Sequence, residues 1–553
     1  MKKIIVFLLF ALSQTVFGQV KLTETQKLAT TCKVWGFLKY YHPAVASGTT
    51  NWDKQLFDVL PQIEKAQTKE EFSAVIENWI ISLGEVKTCT TCSDNNKTDD
   101  KYFYKNLDLL WIKSTKLFST NLSNKLEFIR ENRFQGNQFY VDEFEAKHIF
   151  LKNENYSNFK WEDRNQRLLS LFRYWNVIEY FFPYKYIMDY NWDTTLQEAI
   201  PDFINIKTEE DFQLAMLKVV VRLNDSHAMF YFKRPQDKNK QRNFLPVNSK
   251  IIDKKMVVTE ILSDSIAKLD DIRVGDVIIK INDKSIEEII EEKKNYISAS
   301  NESAYLKNLL LQITTGYSDT INFESVRDGK ITEKTIKWYD YNISHSNEFK
   351  KNRKIEKYKI LEKNIGYVNM GKIRINEISA MMDKLFHTKA IVFDMRNYPN
   401  GTNYEISKYL NSKETPFAKY TYPDLTYPGR FIWTESDTCG SDNPNYYRGR
   451  VIVLVNEYSI SQSEWATMSF QTAANTTVIG SQTAGADGNV CHIDFVKDYE
   501  APFSGVGVYY PDGKETQRIG IIPDIEVKPT IIGIQQGRDE VLERAIQFIE
   551  TGK

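Results

Sequence analysis

Val451-Ile452-Val453-Leu454-Val455-Asn456-Glu457-Tyr458-Ser459-Ile460-Ser461-Gln462-Ser463-Glu464 is the stretch on which the reading of this chain turns. The apolar run 451–455 reads as a buried strand, and a helical pattern follows at 463–474. Three serines therefore fall on a strand-to-helix turn. A hydroxyl there is exposed, and the helix N-terminus behind it favours developing negative charge. The residues alone leave Ser459, Ser461 and Ser463 open, and Ser463 also reads as an N-cap.

A hydroxyl nucleophile needs a base, which the fold can bring from far away in the chain. Asp225-Ser226-His227 supplies an imidazole, which accepts a proton near neutral pH without prior desolvation. A histidine at a helix end is usually structural, but the chain carries its own control. Residues 34–43 match 174–183 at an offset of 140. The same offset carries Asn51-Trp52-Asp53 onto Asn191-Trp192-Asp193, Pro61 onto Pro201, and Thr68 to Phe72 onto Thr208 to Phe212. Each copy reads as a small helical unit whose aromatics form core, with Thr68 and Thr208 as N-caps. Ser226 and His227 close the second copy, whereas the first has Val86 and Lys87. The scaffold is duplicated and the Ser-His pair is not.

The chain has 553 residues, which predicts three or four domains. A net charge of −1 argues against a nucleic-acid partner. Lys2 and Lys3, the apolar run 4–12 and Val16-Phe17-Gly18 read as a secretory signal over 1–18, shorter than the ~20 residues of a membrane span. The expected location is periplasmic or extracellular. Cys89 and Cys92 have redox-motif spacing without a strand-to-helix context, so a local disulfide is expected of them. Cys32, Cys439 and Cys491 stand apart, which gives zinc no second pair.

Between the copies, 125–152 alternates apolar and polar residues and reads as strands, and 235–242 reads as a linker. Within 245–338, Met256 to Thr259 and the Gly275-Asp276 turn running into Val277–Ile281 read as strands, followed by a helix at 285–296. This unit resembles a PDZ domain, which binds peptide ends at a sheet edge. The stretch 357–534 alternates strands (364–370, 390–395, 451–455, 477–480) with helices (375–386, 463–474), an α/β pattern.

Three stretches, with the PDZ-like unit between them and the histidine, make the carboxyl-terminal half resemble the C-terminal-processing and tricorn-type serine peptidases. They are Val392-Phe393-Asp394-Met395-Arg396-Asn397-Tyr398-Pro399-Asn400-Gly401, Ser459 to Glu464, and Gly480 to Gly485 with Gly520-Ile521-Ile522-Pro523-Asp524. The resemblance covers about Phe212 to Val527. It implies a crotonase-like α/β core, no metal or organic cofactor, and peptide or unfolded protein substrates. It also implies Ser461 as nucleophile and the Gly401 and Gln462 amides as oxyanion donors. Members with a lysine base carry it about 25 residues past the serine, where this chain has Ala486 followed by Asp487. The tricorn-type members use a histidine preceded by a serine, which Ser226-His227 fits. They add a glutamate, just before the closing signature, that acts through the serine beside the histidine, so Ser226 and this glutamate are expected to orient and support the imidazole. Glu515 is favoured over Gln517 there, because a carboxylate better stabilises an imidazolium.

The expected architecture is therefore multidomain α/β. A signal (1–18) precedes a helical unit with strands (19–160), a second helical unit (161–243), a PDZ-like α+β domain (244–340), a peptidase core (355–537) and a C-terminal helix (538–553). The expected activity is that of an exported serine endopeptidase. The rival is an inactive peptide- or ligand-binding scaffold of the same fold.

Overall fold

The structure, a computed structural model, describes residues 21–92, 100–154, 158–232, 243–263, 268–340 and 356–553. The expected signal and linker lie outside the described residues. The chain divides into two compact units, one within Met1–Asp94 and Asp108–Gly136, the other within Asn95–Leu107 and Asn137–Lys553.

In the first unit, helices Glu24–Tyr41, Trp52–Lys65 and Lys69–Ser82 pack around buried Trp35, Phe37, Trp52 and Phe72. Thr68 caps the third, its hydroxyl accepting from the Glu71 amide. Cys89 and Cys92 form a disulfide, and Cys32, Cys439 and Cys491 are buried thiols outside any disulfide.

The second unit opens with the other copy. Helices Arg164–Phe181, Trp192–Ile204 and Glu209–Val221 each begin 140 positions after their counterparts. The copies share one device. Trp35 and Trp52 each donate their indole N–H to the other's carbonyl, at 3.4 and 3.0 Å, and Trp175 and Trp192 do the same at 2.9 and 3.0 Å. A buried indole must find an acceptor. The reciprocal pair satisfies two at once and fixes the angle between two helices.

The strands expected over 125–152 require correction. Thr120–Glu131 is a helix capped by Ser119, with Leu122, Leu126 and Ile129 on one buried face. Only Val141–Glu143 and Ile149–Leu151 form a hairpin, in the second unit. The helical spacing and cap outweigh the local alternation.

The third region is an antiparallel sheet of Val247–Ile252, Lys255–Ile261, Val277–Ile281, Thr320–Arg327 and Lys330–Lys337. Helices Ile286–Lys293 and Glu302–Ile313 contribute Ile289, Leu309 and Leu310 to its core.

The last region is a six-stranded sheet. Tyr358–Leu361 runs antiparallel to Ile365–Asn369. Ala390–Asp394, Arg450–Val455, Thr476–Gly480 and Ile525–Glu526 follow in parallel. Alternate residues serve opposite faces. Ile391, Phe393, Val451 and Val453 join one core with Met381, Met382, Ile406 and Phe470. Val392, Ile452 and Leu454 join another with Val541, Ala545 and Ile549. Helices cover both faces, which is why the strands read as unbroken apolar runs. The carboxyl ends of the parallel strands thereby collect the loops that follow Asp394, Val455 and Gly480.

Candidate active site

The turn after Arg450–Val455 separates the three serines. Ser459 is buried, donating to the Met395 carbonyl at 2.9 Å and accepting from the Asn456 amide. Ser463 is buried, and its hydroxyl has no hydrogen-bond partner among the described residues. Ser461, not Ser463, is the N-cap of helix Gln462–Phe470 and lines a cavity of about 360 Å³.

Ser461 adopts φ 56° and ψ −118°, a region open to glycine and costly for other residues, by about 1–3 kcal/mol. Its amide is tied to the Ala486 carbonyl at 2.8 Å and to the Glu464 carboxylate at 3.1 Å. Glu464, 1% exposed, also accepts from the amides of Gly485 (2.8 Å) and Ala486 (3.0 Å) and from the Thr483 hydroxyl. One buried carboxylate thus joins the serine turn to the segment 483–486. Gly520 lies against this hub at φ +65°. A Cβ there would sit 2.4 Å from Thr483 Oγ1 and 2.9 Å from Glu464 Oε1, so only glycine fits.

Gly401 turns at φ +67°, and the Gln462 side chain donates to Asn403 Oδ1 at 3.2 Å, bringing the two loops together. The Gln462 amide sits in the first turn of its helix, where backbone donors have no intrahelical partner. Asp394 and Arg396 of the first matching stretch form an anchor. Arg396 forks onto Asp394 and onto Asp539, the N-cap of the C-terminal helix, with four contacts of 2.8 Å.

His227 follows the helix Glu209–Val221. Its Nδ1 lies 3.0 Å from Ser504 Oγ, and that hydroxyl donates to Asp225 Oδ1 at 2.9 Å. Asp225 is fully buried. It also accepts from the amides of Ser504 (2.7 Å) and His227 (3.1 Å) and from Gln517 Nε2 (3.0 Å). Burial lowers the imidazole pKa, the Asp225 charge opposes this, and the Lys307 charge adds to it.

Two expected supports of the imidazole require correction. The Ser226 hydroxyl donates to the Ala484 carbonyl at 2.8 Å and accepts from the Ser300 amide at 2.9 Å. Glu515 pairs with Lys105 Nζ and the Tyr186 hydroxyl, both at 3.1 Å. Neither hydrogen-bonds His227. Glu515 is partly exposed near a cation, whereas Gln517, two residues on, reaches Asp225. Ser226 still ties the histidine loop to Ala484, two residues from the Ala486 carbonyl that holds the Ser461 amide.

Residues 364–527 match peptidase family S41, and residues 241–354 match a PDZ domain. The chain carries a serine-type peptidase domain of family S41. The S41 domain and its neighbours share their fold with mature CPAF complexed with lactacystin, at 13% identity and TM-score 0.55 over 70% of this chain and 99% of that one. A mutant of CPAF gives 15% identity and TM-score 0.56 over 70% and 98%. No curated protein matches.

Around the S41 serine, sequence reasoning missed Ser504, Asp225 as a buried acceptor and Lys307, and it set Gln517 aside in favour of Glu515. Lys307, on helix Glu302–Ile313 of the PDZ domain, lies over the Tyr458 ring at 5.9 Å. Burial lowers its pKa, and Glu457 and Glu464 oppose this. Asp225 stood in the quoted Asp225-Ser226-His227 stretch, so adjacency to the histidine was an available signal. Ser504 and Lys307 had none, because only the fold brings them to the site.

Proposed function

We propose that the protein is an exported serine endopeptidase with Ser461 as nucleophile and His227 as base. Ser461 Oγ attacks the substrate carbonyl carbon while its proton passes to His227 Nε2. The amides of Gly401 and Gln462 receive the oxyanion. The imidazolium returns the proton to the departing amine as the acyl-serine forms. Water then enters and attacks the acyl carbon as its proton passes to His227, and the imidazolium returns that proton to Ser461 Oγ as the C–Oγ bond breaks and the acid leaves. Ser504 and Asp225 are positioning residues. Nδ1–H donates to Ser504 Oγ, and Ser504 donates to Asp225, which directs Nε2 toward the proton it must take.

The observation that carries this reading is the Ser461 backbone, a non-glycine residue held in a glycine-like conformation at the head of a helix and on a cavity. The hydrogen-bonded chain from His227 to Asp225 supports the choice of base. The PDZ domain is the natural holder of a substrate tail, by adding it as a strand. The leader-like start and the Cys89–Cys92 bridge, which suits an oxidising compartment, support export.

A fluorophosphonate probe tests the nucleophile. It is expected to label Ser461 in the intact protein, and Ser461→Ala is expected to lose labelling and to slow peptide hydrolysis by about 10⁴-fold or more. Hydrolysis unaffected by that change would remove the assignment. A chain that binds peptide without cleaving it would leave the probe unreacted.

A further inference from the structure

The cavity beside Ser461 is walled by Tyr420, Tyr422, Trp465, Val506 and Val508, and Asp487 also lines it. Asp487 is 8% exposed. Its Oδ1 accepts from the Thr516 hydroxyl at 2.9 Å. Its Oδ2 is buried and has no hydrogen-bond partner among the described residues. A buried carboxyl oxygen without a donor is costly, so it marks a place that something outside the chain's own packing fills. Burial and the nearby charges of Glu464 and Asp225 push the Asp487 pKa well up, so the carboxyl keeps its proton until a cation comes to lie beside it.

The cation on the cavity wall does not supply that partner. Lys147 Nζ pairs with Glu143 at 2.6 Å and lies over the Tyr422 ring at 5.4 Å. The remaining lining joins these aromatic and aliphatic walls to polar Thr434, Gln462 and Asn489 and the exposed carboxylate of Glu145, with Asp487 Oδ2 as the buried acceptor that has no partner among the described residues. It suits a long methylene stem that ends in a cation.

We propose that this cavity receives the substrate side chain next to the scissile bond and that Asp487 makes it select lysine or arginine there. The stem lies along Trp465, Tyr420 and the two valines, and the ammonium or guanidinium donates to Asp487 Oδ2. This rests on Ser461 being the nucleophile, so the test separates the two.

The first measurement is kcat/KM of the full chain on fluorogenic peptides that differ only in arginine, leucine or glutamate before the scissile bond. Arginine is expected to exceed leucine by about 10-fold or more, and glutamate to be poorest. Asp487→Asn is expected to bring the arginine-to-leucine ratio near one. Leucine equal to or above arginine in the unaltered protein, or an unchanged ratio in the variant, overturns the proposal. The second measurement is fluorescence titration of Ser461→Ala with p-aminobenzamidine, which needs no turnover. Saturable binding displaced by the arginine peptide, and not by the leucine peptide, is expected whether or not Asp487→Asn folds. Absence of binding overturns the pocket. Binding without probe labelling or hydrolysis in the unaltered protein keeps the pocket and removes the nucleophile.

Discussion

His227, the proposed base, must be neutral to accept a proton, so in that role its environment sets the acid limit of activity. Its pKa is depressed below the ordinary 6.5, so the acid limb of kcat/KM is expected below pH 6.5. The charges around it make opposite predictions. Lys307→Met removes a cation that disfavours the imidazolium and should move the limb to higher pH. Asp225→Asn removes an anion that favours it and should move the limb lower, with turnover reduced roughly 10²- to 10⁴-fold. A pH–rate profile of both variants checks the pair, and shifts in the same direction would contradict the geometry. His42 gives a stability counterpart. It is 1% exposed, both ring nitrogens lack partners among the described residues, and burial lowers its pKa to about 4. The unfolded chain takes up this proton near pH 6.5 and the folded protein only near 4. The contribution is therefore complete above 6.5 and lost as pH falls toward 4, on the order of 3 kcal/mol. The second copy has Phe182 at this place. His42→Phe should flatten that loss in urea melts at pH 7 and pH 5.

Among elements, the parallel strands were legible because each is an apolar run bounded by turn formers. The serine turn was legible because strand, serines and helix follow one another. The support of the imidazole was not. Ser504 sits 277 positions from its histidine, on a two-residue strand, Phe503–Ser504, too short to show periodicity. Preferring a carboxylate drew the choice to Glu515, when the buried carboxylate was already present as Asp225. The helix Thr120–Glu131 was hidden by polar residues spaced like a strand. The anchor at the sheet's carboxyl edge has a measurable weight. Asp394 is 2% exposed and relies on Arg396 and the Tyr367 hydroxyl. Arg396→Met should cost about 3–5 kcal/mol, because it leaves a buried carboxylate without its cation. Thermal unfolding of that variant beside Asp539→Asn, a carboxylate far more exposed than Asp394, would show the larger loss for Arg396.

At the scale of the molecule, the PDZ domain touches the loop that carries His227 directly. Ser226 and Ser300 each donate a backbone amide to the other's hydroxyl, at 2.8 and 2.9 Å, and both are buried. Asn301 donates to the carbonyls of Thr483 and Arg518. Ser300→Ala should cost about 1–3 kcal/mol by stranding the Ser226 amide, read as a lower urea midpoint with an unchanged slope.

Glu464 gathers four donors, from Ser461 and from the segment 483–486, so the turn of the proposed nucleophile comes as a finished casting. The histidine instead hangs from a short loop, moored on one side to Ser504 and on the other to a neighbouring domain. A throttle on this enzyme would therefore act by swinging the imidazole into or out of line, with the alcohol left standing ready throughout.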